Sequence, residues 1–364
     1  MQAGKFVSAS EIRATTEEGL YPCYGGNGLR GYTATFTHSG TYSLIGRQGA
    51  LCGNIQQGIG EFHATEHAIV VTPKNEVRGD WLFFILDFLN LNRFATGQAQ
   101  PGLSVDVLEK LPIAVPSQEG EQQKIADCLS SLDQLIAAQA GKVATLKTHK
   151  EGLTGILFPR EGETQPRPRF TEFRNAGNWI KAPAGRFFTN KVKRGDSDLP
   201  IYSVTMNNGL VPRTSLDRRV DDVAKASANK AARKGDIAYN MMRMWQGALG
   251  VAPEDCMVSP AYIVLTPQGV NPHFFSYQLK LPHTLQLLTA HSRGLTEDRL
   301  RLYYDDFARV PLSCPSLPEQ NLIADCLASL DDLTATETKK LDALRRYKVG
   351  LMQQLFPSAE AVEA

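Results

Sequence analysis

Apolar residues recur at alternating steps of four and three along two stretches of the chain. In the first, Ile125, Leu129, Leu132, Ile136, Val143, Leu146, Leu153 and Leu157 keep the rhythm, with Gln139 and Lys150 standing at two of its positions. In the second, Ile323, Leu327, Leu330, Leu341, Leu344, Leu351 and Leu355 keep it, and Thr334 and Glu337 interrupt the middle. Such steps form the seam of a coiled coil and predict a long helix over each stretch. The stretches are copies of one another: Ile125-Ala-Asp-Cys-Leu129 returns as Ile323-Ala-Asp-Cys-Leu327. A Pro-Ser pair (Pro116-Ser117, Pro315-Ser316) and a Glu-Gln pair (Glu121-Gln122, Glu319-Gln320) precede each copy, and Leu-Phe-Pro closes each at Pro159 and Pro357. The offset is constant from Glu121 to Pro159, so each copy is one uninterrupted element. Ser316-Leu-Pro-Glu319 has the spacing of a capping box, and the closing prolines end the helices. Roughly 38 residues make a helix of about 55 Å at 1.5 Å per residue. That is too long for one small core, so the two seams are expected to bury each other as an antiparallel pair. Gln139 and Glu337 are equivalent, which leaves the middle of each seam the least defined part of the packing.

Upstream of each helix the repeat is weaker but ordered. Arg47-Gln48-Gly49-Ala50-Leu51 corresponds to Trp245-Gln246-Gly247-Ala248-Leu249, Ala68–Pro73 to Tyr262–Pro267, and Leu111–Pro116 to Val310–Pro315. Short β-branched runs bounded by Gly, Pro and Asn read as strands joined by turns. Trp81–Leu89 and Phe274–Leu279 are apolar runs that predict one buried helix in each segment. The fold class is therefore α+β, with an internal pseudo-two-fold repeat. The divisions are a first globular segment over 1–116, a helix over 117–159, a charged, proline-bearing linker over 160–178, a second segment over 179–315, a helix over 316–357 and a tail over 358–364.

With 364 residues, 42% of them hydrophobic, and no apolar run near the 18 or so residues that span a bilayer, the chain is expected to be cytoplasmic, without a signal peptide. Six cysteines without a C-x-x-C argue against zinc and fit a reducing compartment. Cys128 and Cys326, equivalent and beside the seam, are expected to pack as small apolar groups. A net charge of +1 says little, but basic residues are dense between Arg160 and Arg243. Lys191, Lys193, Arg194, Arg213, Arg218, Arg219, Lys225, Lys230, Arg233, Lys234 and Arg243 suit either a phosphate-facing surface or a solvated face.

The chain carries little that could do chemistry of its own. Asn271-Pro-His-Phe274 only approaches the loop by which adenine methyltransferases grip an amino group, and no glycine-rich cofactor loop precedes it; a turn into a helix explains it. There is no phosphate-cradling G-x-x-x-x-G-K-[ST]. His63 and His67 have a zinc-like spacing but lack the Glu that follows the first His in metalloproteases, and His63–His67 reads as a loop presenting polar groups.

Two dissimilar α+β segments, each followed by a long helix that opens with Pro-Ser and Glu-Gln and closes with Leu-Phe-Pro, resemble the specificity subunit of a Type I restriction-modification system. Tyr21–Tyr32 with Leu44–Gly49 in the first segment, and Gly235–Ala248 with Val258–Tyr262 in the second, resemble stretches of that family's target-recognition domains. Those domains often open with a Trp-containing lead-in, here Asn178-Trp179-Ile180, which is missing before Lys5-Phe6-Val7; the first domain is then naturally short or the chain starts late. The resemblance implies two target-recognition domains separated by two long antiparallel coiled-coil helices. It further implies a non-catalytic reader of double-stranded DNA, with two methyltransferase subunits as partners and restriction subunits as an open further possibility. No cofactor is implied for this chain; S-adenosylmethionine would be held by the methyltransferase.

Direct readout in the major groove uses Arg for guanine and Asn or Gln for adenine. Candidate DNA-binding residues are Asn27, Arg30, Arg47, Gln48 and Gln98 in the first segment. In the second they are Lys193, Asn207, Asn208, Arg213, Arg243, Gln246 and Arg293. Gln48 and Gln246 are shared by both segments and so do not easily explain unlike targets; bracing the fold or touching backbone suits them better, and Asn207 and Asn208 beside Gly209 also suit a turn. Because the segments differ, an asymmetric bipartite site is expected, with the helices setting its unread spacer. Two other readings stay open from the residues: a coiled-coil scaffold that touches no DNA, and the detached recognition portion of a single-chain restriction-methylase.

Overall fold

The computed structural model describes residues 1–74, 76–97, 101–190, 193–216, 228–296 and 299–357. The chain divides into two compact units, one holding residues 1–142 and the stretch from Glu337 onward, the other holding Val143–Thr336.

The first unit carries strands β1 (Gln2–Ala3), β2 (Tyr21–Gly25), β3 (Gly28–Thr33), β4 (His38–Gly46), β5 (Ile55–Ala64) and β6 (Ala68–Val71), ordered β1-β6-β4-β5-β2-β3 in one sheet. Helix α1 (Gly79–Phe88) is the buried helix expected there, with Trp81, Leu82, Phe84, Ile85 and Leu86 all inside. A single-turn helix, α2 (Val105–Leu108), is capped by Ser104, whose hydroxyl accepts from the Val107 amide. The long helix α3 (Glu119–Leu157) follows, 39 residues in one piece.

In the second unit come β7 (Ile180–Pro183), β8 (Phe188–Thr189), β9 (Lys193–Arg194), β10 (Ile201–Thr205), β11 (Gly209–Pro212), β12 (Lys230–Ala232), β13 (Ile237–Asn240), β14 (Leu249–Val251), β15 (Cys256–Val258) and β16 (Tyr262–Pro267). Then follow α4 (Pro272–Gln278), α5 (Pro282–Ala290), α6 (Tyr304–Phe307), β17 (Pro311–Cys314) and the second long helix α7 (Leu317–Leu355), again 39 residues. The strands form the sheets β11-β10-β15-β12-β9 and β14-β13-β16-β8 and the pair β17-β7.

Each core closes on the start of one long helix and the end of the other. The first unit's cluster takes Ile125, Ala126 and Leu129 from α3 and Met352 from α7, with Phe356 just beyond it. The second takes Ile323, Ala324 and Leu327 from α7 and Leu157 from α3, with Phe158 just beyond it. The Leu-Phe-Pro endings are therefore anchors. The Phe356 ring lies 6.1 Å from Trp81, and the equivalent Phe158 lies 5.1 Å from Phe274. The Glu-Gln pairs are anchors too. Gln122 Nε2 donates to the Pro116 carbonyl and its Oε1 accepts from the amide of Arg78, the residue capping α1. Gln320 repeats this with the Pro315 carbonyl and the amide of Asn271, the cap of α4.

Within each unit the segments of the two long helices run antiparallel. Lys348 pairs with Asp133 at 2.7 Å in the first unit, and the equivalent pair, Lys150 with Asp331, forms in the second. Each ammonium also sits over an aromatic ring of the buried helix, Lys348 over Phe84 and Lys150 over Tyr277. The middle of the seam, left undefined by the sequence, is a polar knot: Gln139 Nε2 donates to Glu337 Oε2 at 2.7 Å and to the Glu337 carbonyl at 2.9 Å. Lys340 and Lys142 close on Glu337 Oε1 at 3.0 and 3.2 Å, leaving the carboxylate 4% accessible. These donors hold its pKa down, from an ordinary 4.5 to about 2.

Several expectations are corrected. Glu319 does not close a capping box: its carboxylate takes a bidentate pair from Arg169, at 2.9 and 2.6 Å, with side chains 5% and 1% accessible. The charged stretch read as a linker therefore supplies a buried clamp. Leu111–Pro116 forms no strand, whereas Pro311–Cys314 does, because the latter pairs with β7 directly after Trp179; without an equivalent of β7 the first stretch has no ladder to join. His63 lies on β5 and is buried, bonded through Nδ1 to Thr35 and Nε2 to the Lys5 carbonyl, and only Glu66 and His67 of this stretch are partly exposed. Among the described residues no group of three or more His, Cys, Asp or Glu could hold a metal, and no helix is long and apolar enough to cross a membrane. Cys326 is partly buried as expected, but Cys128 is exposed.

Candidate nucleic-acid interface

In the first unit the β2–β3 hairpin folds back against the turn that follows β4. Its tip is Gly26-Asn27, with Gly25 paired to Gly28 across the strands. The close approach depends on glycine: a Cβ at Gly46 would lie 2.1 Å from the Gly26 carbonyl. The result is an open concavity of about 470 Å³ lined by Asn27, Arg30, Gln48 and His67. Asn27, Arg30 and Gln48 are exposed, so their polar groups face solvent and are available to a ligand. Arg47 backs this turn, its amide donating to the His67 carbonyl and its guanidinium to the Glu66 carbonyl at 3.4 Å. Gln98 lies outside the described residues.

A concavity of about 800 Å³ in the second unit is lined by Met242, Arg293, Arg299, Arg301, Tyr303 and Asp305, among others. Arg293 is held in place, with Nε 2.7 Å from Asp306 Oδ2 and Nη2 2.8 Å from Oδ1. That hydrogen bonding raises its pKa further, so its charge is permanent. Arg243 and Gln246 are exposed on the turn next to Met242. The remaining candidates belong to the other sheet of this unit and do not line the concavity. Asn207 and Asn208 form the exposed tip of the β10–β11 hairpin, where Thr205 Oγ1 accepts from the Asn208 amide and Gly209 takes φ +64°, as a turn requires. Arg213 begins a short turn after β11, and Lys193 lies exposed on the edge strand β9.

Of the two readings of the shared Gln-Gly pairs, the brace is the one the side chains do not form. The repeated feature is the glycine, left-handed at both Gly49 (φ +91°) and Gly247 (φ +81°). The Gln48 and Gln246 side chains are exposed and make no hydrogen bond among the described residues, so they brace nothing. In the basic run, Lys230 turns inward and donates to the Tyr262 carbonyl, its pKa lowered by burial, so it is not a surface cation. Lys191, Arg218, Arg219 and Lys225 lie outside the described residues. Arg299, Arg301 and Tyr303 went unread along the chain, whereas His67 ends the stretch read as a polar loop and Met242 lies within Gly235–Ala248. The only available signal was the similarity of the steps from Gly102 to Leu108 and from Arg301 to Phe307, which is legible only once both are seen to precede short helices. Arginines, amides and apolar side chains on open, solvent-facing concavities are groups that bond phosphates and base edges.

A family model described as the Type I restriction modification DNA specificity domain matches residues 2–148 and again 172–346. The EcoprrI specificity subunit of a Type I restriction enzyme from Escherichia coli is 49% identical over 136 residues, 37% of this chain and 34% of that protein. A putative Type I specificity subunit from Haemophilus influenzae is 32% identical over 119 residues, 31% of each. The chain thus spans about a third of the length of these relatives. The crystal structure of a Type I restriction-modification S subunit from M. genitalium superposes with a TM-score of 0.64 at 17% identity, covering 98% of this chain and 93% of that one, which shows a shared fold.

Proposed function

Because this chain belongs to the family of Type I restriction modification DNA specificity domains, we propose that it is the sequence-reading subunit of a restriction-modification complex, binding double-stranded DNA at an asymmetric bipartite site. The observation that carries this reading is the contrast between frame and surface. The two α+β segments share buried helix, glutamine brace, Phe anchor and Lys–Asp pair, yet present different side chains: Asn27, Arg30 and Gln48 in one concavity, Arg293, Arg299 and Arg301 in the other. A frame used twice with unlike exposed groups suits two unlike half-sites.

The chain itself is non-catalytic and needs no cofactor; methyl transfer belongs to methyltransferase subunits that bind S-adenosylmethionine. Those subunits dock along α3 and α7, whose exposed faces repeat a cationic position at Lys147 and Arg345. The complex acts on DNA in the cytoplasm.

Titration of the purified chain against mixed-sequence duplexes at several salt concentrations tests this reading. Binding should weaken linearly on a log–log plot, with a slope of about 0.9 per phosphate contact. With labelled S-adenosylmethionine the chain alone should transfer no methyl group, and adding its methyltransferase partner should restore transfer. Failure to bind any duplex at low salt would leave a protein scaffold, and methyl transfer by the chain alone would contradict the division of labour.

A further inference from the structure

The turn that leads into β6 is built a second time before β16 and filled differently. In the first segment the Ala68 amide donates to the Thr65 carbonyl at 2.9 Å; in the second the Tyr262 amide donates to the Ser259 carbonyl at 3.0 Å. Ala68 and Tyr262 open the equivalent strands β6 and β16. Between the bonded residues stand Glu66-His67 in one turn and Pro260-Ala261 in the other. The frame is common to both segments, whereas an acid beside an imidazole occupies this turn in the first segment alone.

His67 lines the concavity of the first unit together with Asn27, Arg30 and Gln48. Its backbone is fixed there. Its carbonyl accepts from the Arg47 amide at 2.9 Å, and the β2–β3 hairpin tip packs so closely that a Cβ at Gly26 would lie 3.2 Å from that carbonyl and from the Gln48 carbonyl. The ring is oriented as well: His67 Nε2 lies 3.3 Å from Glu66 Oε1, with both side chains partly exposed. Glu66 Oε2 is buried and has no hydrogen-bond partner among the described residues, so no competing donor turns the carboxylate away from the ring. An ionised carboxylate can only accept, which favours the proton of a neutral imidazole on Nε2 and leaves Nδ1 as an acceptor.

We infer that His67 is a base-reading residue of the first half-site, its Nδ1 accepting from an exocyclic amino group, adenine N6 or cytosine N4, with Glu66 as the residue that positions it. Those amino groups are the base-edge donors of the major groove. This rests on the DNA-reading function proposed above and adds to it a residue and the hydrogen-bonding sense of its contact. Because Ala261 takes the same place in the second segment, the contact belongs to one half-site and contributes to the asymmetry of the target.

The test uses the full chain assembled with its methyltransferase partner. Sites are selected from a random duplex library, and the selected duplex and a scrambled one are then titrated at several salt concentrations. His67→Ala should lose its preference at one position of one half-site and weaken binding to the selected duplex about tenfold, within the range of one base contact. The other half-site, the scrambled duplex and the salt slope should be unaffected, and the retained half-site shows that the variant is folded. Glu66→Ala should relax the same position, and Glu66→Gln, which keeps an acceptor beside the ring, should recover most of the preference; a purely structural role would not act on one base position. Removing the amino group at that position, with unsubstituted purine for adenine or 2-pyrimidinone for cytosine, should cost the native chain a comparable loss. It should cost His67→Ala nothing further, the non-additivity expected of groups in contact. An unchanged preference in His67→Ala, or an equal penalty for the missing amino group in native chain and variant, would overturn the assignment and leave the DNA-reading function standing. A loss shared by all duplexes, with the slope lowered by about one, would make His67 a phosphate contact and also overturn it. If the unsubstituted chain binds no duplex, it is the DNA-reading function that fails.

Discussion

Arg169 and Glu319 show how much a single pair can settle. Both are almost fully buried, and the fork geometry gives two parallel charge-assisted bonds. Removing the arginine leaves a carboxylate inside the protein without its counter-charge, the change that makes buried pairs costly to break. Arg169→Ala should therefore lower the stability of the second unit by about 3–5 kcal/mol, measured by denaturant unfolding. Arg169→Lys should recover only part of it, since a point charge cannot fill both positions. A loss below about 1 kcal/mol for alanine would mean that the pair is solvated in solution. None of this was legible along the chain. Arg169 sits in a stretch with two prolines and alternating charges, which has the composition of a linker, and its partner lies 150 residues further on. Gln122 and Gln320 were visible as a repeated pair, but their task, tying each long helix to the cap of the buried helix, needs the tertiary neighbours to be seen.

At the scale of elements the sequence was most informative. The four-three rhythm marked both long helices, and each is continuous through the polar positions that interrupted it. What it could not supply was the partner of each polar seam position, because the register between two helices is set by contacts distant in sequence. Glu337 is the clearest case, a charge at a seam position that becomes the acceptor for Gln139, Lys142 and Lys340. Its pKa in the folded chain lies near 2, below the ordinary 4.5 expected when unfolded. The ionised carboxylate therefore adds stability that is complete above about pH 4.5 and is lost as pH falls toward 2. Unfolding of the native chain and of Glu337→Gln, compared from pH 6 down to pH 2, should show a native advantage that shrinks through that window. A difference independent of pH would show that the side chain is held by packing and not by its charge. The missing strand at Leu111–Pro116 teaches the complementary lesson. The residue pattern matches that of β17, but a strand exists only where another strand receives its amides.

For the molecule as a whole, the repeat explains why so few residues identify the family and why the target stays hidden. Anchors, braces and ion pairs recur because both segments must seat the same two kinds of helix end. The solvent-facing groups are free to differ, and they do. The fold was therefore legible from the repeated half of the information. The proposed reading surface was legible only in part: Asn27, Arg30 and Gln48 converge on one concavity and Arg293 lines another, while Asn207, Asn208, Arg213 and Lys193 lie elsewhere on their unit.

The central claim is that one chain reads two unlike half-sites with two unlike surfaces on one repeated frame. Selection of bound duplexes from a random library, using the chain assembled with its methyltransferase partner, tests it most directly. The expected enrichment is a pair of short, dissimilar motifs separated by a fixed number of unread base pairs. A single continuous motif, two identical motifs, or no enrichment from a folded, DNA-binding preparation would contradict it.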